Sequence, residues 1–100
     1  MPDFLLLMHD DGGDPASGDA DPWAPYLAGL RASGRLQGGS AIGAGICLRK
    51  TGTAPPISRH LTGFIRVSAL DLQDAQTLLA GNPAFEAGGT VEIRELPVTG

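Results

Sequence analysis

His9 is followed directly by Asp10 and Asp11, and these three residues are the chain's densest grouping of proton-transfer chemistry. An imidazole titrates near neutral pH, and a carboxylate held on one ring nitrogen leaves the other as a general base. Neighbouring strand residues point to opposite faces, so Asp11, not Asp10, shares a side with His9 if the strand continues. The catalytic candidates are therefore His9 as proton acceptor and Asp11 as its orienter. The plain alternative is a solvated strand end followed by a charged loop.

Two residues apart near the C-terminus, Glu92 and Arg94 share one face of a strand. The guanidinium fork of Arg94 suits a carboxylate ligand, with Glu92 steering or neutralising it. A structural ion pair satisfies the same spacing. Ser40, beside Gly39, lacks the Gly-x-Ser-x-Gly setting of an activated nucleophile and is a hydrogen-bonding pocket candidate. His60, after Arg59, is either a loop residue or a further ligand-binding group. One cysteine, two histidines and scattered aspartates show no metal-ligand spacing. The glycine pairs lack the pattern of a phosphate loop. No metal and no cofactor are expected.

These groups need a scaffold. Phe4 to His9 is an unbroken apolar run, as in a central strand covered on both faces, and Asp10 to Asp21 is a loop dense in turn formers. A helix starts near Pro22 or Pro25 and ends at Gly34, with Trp23, Leu27 and Leu30 along one face. Pro25 favours the later start, because a proline past the first positions removes a ladder donor. Arg35 to Lys50 reads as a strand bent at its glycines, with Cys47 a small buried hydrophobe in it. Pro55 and Pro56 mark a loop, and Leu61 to Val67 the third strand. Ser68 or Asp71 caps a second helix over residues 71–80, whose stripe is Leu72, Ala75, Leu78 and Leu79. In the last strand Val91 and Ile93 oppose Thr90, Glu92 and Arg94. The order strand, helix, strand, strand, helix, strand predicts an α+β, ferredoxin-like four-stranded antiparallel sheet with two helices on one face.

One hundred residues fit one domain, 1–100, with a modest core that gains from a partner. A formal charge of −4, with no basic cluster beyond Arg49 and Lys50, argues against nucleic acid and anionic membranes as partners. A lone cysteine, no leader-like start and no apolar span make the cytoplasm the default location.

Phe4 to Asp11, Leu30 to Gly39, the Gly63–Phe64 strand, and Asn82–Pro83 followed by Gly88 to Arg94 together resemble the YCII-related family, in its DGPF-domain branch. The similarity runs over nearly the whole chain. It implies a dimeric α/β barrel of two ferredoxin-like protomers with a cavity in each half. Family members have few assigned reactions; some resemble chloromuconolactone dehalogenases and others occur with sigma factors. The Asp-Gly-Pro-Phe signature is replaced here by Thr53 to His60, no histidine falls on the first helix, and Ser40 stands where the branch often has glutamate. Two functions follow as expectations. One is a homodimeric small-molecule pocket protein with lyase, isomerase or dehalogenase-like activity on an anionic or carbonyl-bearing ligand; the other is a non-catalytic structural or regulatory binding module.

Overall fold

A computed structural model describes residues 1–13 and 21–98. Most of the loop expected over Asp10 to Asp21 lies outside the described residues. The elements run β1 (Asp3–His9), α1 (Trp23–Ala32), β2 (Leu36–Ala41), β3 (Leu61–Ser68), α2 (Leu72–Thr77), α3 (Pro83–Glu86) and β4 (Val91–Leu96). The sheet order is β2-β3-β1-β4, and every pairing is antiparallel. This is the ferredoxin-like topology.

Two expectations are corrected. The sheet is open, with β2 and β4 as its two edges, and is not closed into a barrel. The barrel implied by the resemblance was to be built from two protomers, since closed barrels whose interiors side chains can fill have about eight strands; the sheet here has four, with both edges open. Among the described residues there are also three helices, not two. Asn82 and Pro83, read as a stop, begin α3: the Asn82 carboxamide oxygen accepts from the Phe85 amide, and Pro83 occupies the first helical position, where its missing N–H costs nothing.

Alternation in β1 decides which face meets the helices. Phe4, Leu6 and Met8 are buried among Ile65, Val67, Leu30, Tyr26, Ala75 and Leu79, with Val91 and Ile93 packed beside them. Leu6 and Val67 have no exposed surface, and burial of that kind stabilises by about 1.5–3 kcal/mol per side chain. On the other face Leu5, Leu7 and Phe64 stand half-buried, because among the described residues no helix layer covers them, so β1 is covered on one face and not on both as its apolar run suggested.

Helix α1 starts at Trp23, earlier than Pro25 suggested. Pro25 is its third residue, and the first four N–H groups of a helix have no intrahelical acceptor, so the proline forfeits no bond. Gly34, at φ 75°, then supplies the left-handed turn that ends the helix. In α2 Asp71 is the cap, accepting from the Asp74 amide, whereas Ser68 belongs to β3 and donates to Asp3. Ala75 and Leu79 are buried and Leu78 half-buried, but Leu72 is exposed. The strand expected to reach Lys50 stops at Ala41. Beyond it Gly43 and Gly45 bring no side chain to pack, no strand among the described residues runs alongside, and Cys47 is half-buried in an irregular segment.

Candidate functional site

β1 lies between β3 and β4, so its open face borders residues from both. Leu7 pairs with Glu92 and Leu5 with Arg94, which sets Glu92 diagonally from His9 on the same face. His9 Nε2 and Glu92 Oε1 are 3.0 Å apart. An ionised carboxylate only accepts, so Nε2–H donates, and in the neutral ring Nδ1 is then the acceptor nitrogen. Arg94 donates to Glu92 Oε2 at 3.4 Å, so each carboxylate oxygen has its own donor. The His60 ring meets His9 edge-on, with centroids 4.8 Å apart. The His60 carbonyl also accepts from the Asp10 amide, which ties the approach to β3 onto the end of β1.

Asp11 is engaged elsewhere. One of its oxygens accepts from the Thr90 amide at 2.7 Å and the other from the Thr90 hydroxyl at 2.6 Å. The hydroxyl, then the amide, hold its carboxyl below the usual aspartate range. Asp11 thus anchors the entry to β4, and Glu92 is the carboxylate on His9. Backbone packing supports the same corner: a Cβ on Gly12 would fall 2.6 Å from the Gly89 nitrogen, a distance only glycine tolerates.

Around the β2 edge, α1 and the β2–β3 pair enclose an open cavity of about 550 Å³. Its walls include Met8, Trp23, Leu27, Leu36, Phe64 and Ile65, and among the described residues Arg31 is the one charged wall. Arg31 lies in the last turn of α1, four residues after Leu27 and eight after Trp23, which turns all three to one side of the helix. It has no ion-pair partner among the described residues. Ser40 also lines the cavity, its hydroxyl donating to the Ala41 carbonyl at 2.9 Å.

The residues singled out in the sequence therefore fall into three places. His9, His60, Glu92 and Arg94 form one cluster on the open face, Asp11 belongs to the β4 corner, and Ser40 lines the cavity. Trp23 and Arg31 went unremarked as site residues. Their signal was the Trp23, Leu27, Arg31 spacing, which puts a cation at the end of an apolar helical stripe. Among the described residues no group of three His, Cys, Asp or Glu is placed to hold a metal ion, and no helix is long and apolar enough to cross a membrane.

No family model matches the chain, and no curated protein matches it. Among solved structures it is similar to 5-chloro-2-hydroxyhydroquinone dehydrochlorinase (TftG) from Burkholderia phenoliruptrix AC1100, solved with 2,5-dihydroxybenzoquinone. The TM-score is 0.57 and the identity 23%, over 95% of this chain and 93% of that one. At this identity the likeness is one of fold.

Proposed function

We propose that the protein binds a small anionic or carbonyl-bearing organic compound in the cavity between α1 and the β2–β3 pair. The carrying observation is Arg31: a cation with no ion-pair partner among the described residues, lining an apolar cavity of about 550 Å³. That volume falls within the few-hundred to thousand Å³ range of small-molecule sites, which are mostly apolar with few convergent polar groups. Arg31 holds the anionic or carbonyl oxygen, Trp23 offers flat apolar surface, and Ser40 adds a hydroxyl. The dehydrochlorinase of like fold was solved with a dihydroxylated benzoquinone, a ligand of this chemical kind.

A second reading puts proton transfer at His9, in a lyase, isomerase or dehalogenase-like reaction. It is favoured by the Nε2 contact with Glu92, which turns Nδ1 into the available base. Against it, His9 and His60 are not among the cavity walls, as a binding module without catalysis would have it. A thermal-shift screen of hydroxylated quinones and aromatic carboxylates separates the readings. Arg31→Ala is expected to weaken binding at least tenfold and His9→Ala to leave it unchanged. Binding that survives Arg31→Ala but is lost in His9→Ala would sink the cavity reading. Product formed by the wild type and abolished in His9→Ala would establish the catalytic one.

The proposed assembly is a homodimer in which a second copy covers the open face at Leu5, Leu7 and Phe64. A chain this small has little core of its own, and an apolar sheet face left in water is costly. A light-scattering mass that stays near 10.3 kDa at micromolar concentration would rule it out. The cytoplasm suits the unpaired Cys47.

A further inference from the structure

Residues 42–60 form an irregular arm between β2 and β3, longer than the connections usual in a compact domain. The chain runs out from Ala41, bends at 50–52 and returns to Leu61, with Ile57 packed against Gly45 so that the two limbs touch. On the outgoing limb Ile46 is 78% and Leu48 85% exposed. These are large aliphatic side chains, and their own protomer leaves both in water.

Charge decides what the arm meets. Residues 42–60 contain Arg49, Lys50 and Arg59 and no acidic residue, so the arm is +3 and the rest of the chain, within a total of −4, is −7. Arg35, Arg66 and Arg94 are each paired with a carboxylate of the body, whereas the three arm cations make no ion pair among the described residues. A nucleic acid or an anionic membrane would have to approach the −7 body to reach this arm. A second copy of the chain brings that acidic surface as the arm's complement.

We infer that the arm docks on a second copy of this chain, with Ile46 and Leu48 as its apolar anchors and Arg49 and Lys50 steering it onto the acidic body. This rests on the homodimer reading and adds to it a contact outside the sheet face. Cys47, between the two anchors, shares the shelter of the contact.

The test uses the exposure of the anchors. Because Ile46 and Leu48 make so little contact within the protomer, Ile46→Asp combined with Leu48→Asp is expected to keep the wild-type circular dichroism and a cooperative melt. Size-exclusion light scattering is expected to give a dimer for wild type and a mass near 10.3 kDa for the double variant. Arg49→Glu with Lys50→Glu is expected to raise the dimer dissociation constant at least tenfold at low salt. Wild-type association is expected to weaken as salt rises to about 0.5 M, where charge steering is screened. A wild-type monomer overturns both the arm contact and the homodimer. A dimer whose mass and dissociation constant are untouched by the Ile46/Leu48 variant overturns the arm contact alone and leaves the sheet-face dimer standing. Binding of single-stranded DNA or anionic vesicles by a monomeric wild type, lost in the charge-reversed variant, overturns the inference in favour of those occupants.

Discussion

His9 and Glu92 are brought together by strand register, 83 positions apart in the chain, while Asp11, two positions from His9, points into the hydroxyl and amide of Thr90. An imidazole tautomer follows its hydrogen-bond partner, so here it follows Glu92. In wild type His9 is expected to populate the Nε2–H form whenever the ring is neutral. Glu92→Ala should mix the two tautomers in nitrogen-detected NMR, and Asp11→Asn should leave them as they were. The opposite pattern would return the orienting role to Asp11.

Three aspartates link stability to acid. Arg66, then Ser68, hold Asp3 low; the Thr90 hydroxyl and amide hold Asp11 low; the Leu70 amide, then Arg35, hold Asp74 low. A carboxylate whose pKa falls on folding binds protons more weakly when native, so its stabilisation is complete above the unfolded value of about 3.9 and is lost as pH falls through the lower folded value. The melting temperature should therefore hold as pH falls to about 4 and drop steeply below it. Asp11→Asn should make the acid limb shallower. A melting temperature that is flat down to the most acidic point would contradict the linkage.

Leu6 faces the helices from the central strand and has no exposed surface. Leu6→Ala is expected to cost about 2–5 kcal/mol in urea unfolding, by lost transfer energy and the cavity left behind. Leu5→Ala, one residue away on the open face, should cost much less in the monomer and more wherever a second copy covers that face. Equal costs at the two positions would mean that the sheet does not separate a packed face from an open one.

Patterns carried by consecutive residues were legible in the sequence; partnerships set by register were not. The strand from Phe4, the alternation of Val91 to Arg94 and the Asp71 cap, one of the two caps the spacing allowed, each depend on local spacing, and each is present, although the Phe4 strand is covered on one face only. That Glu92 and Arg94 share a face was also a matter of period two. Glu92 as partner to His9 was hidden, because it depends on Met8 meeting Val91 across the sheet. Cys47 misled for the converse reason: Ala44 to Leu48 has strand-like composition, but a strand needs a neighbour and β2 is an edge. Asn82–Pro83 carries one chemistry with two uses, since a residue that ends one helix can cap the next.

Two glycines with opposite surroundings give a paired prediction. At Gly29, inside α1, a Cβ would meet nothing within 4 Å, so Gly29→Ala loses no packing. It removes backbone freedom from the unfolded chain and should stabilise by about 0.5–1 kcal/mol. At Gly12 the new Cβ would lie 2.6 Å from the Gly89 nitrogen and 2.7 Å from its Cα. Both are backbone atoms, so no rotamer change relieves the clash; the loop after β1 has to move off the corner that joins α3 to β4. That movement pulls on Asp11 and its two bonds to Thr90 and slackens the start of the strand carrying Glu92. Gly12→Ala should therefore lower the melting temperature and also speed hydrogen exchange at the Thr90 amide, which Gly29→Ala should not affect. If Gly12→Ala melts like wild type with Thr90 still protected, the close approach of Gly12 and Gly89 is not what holds Asp11 away from His9.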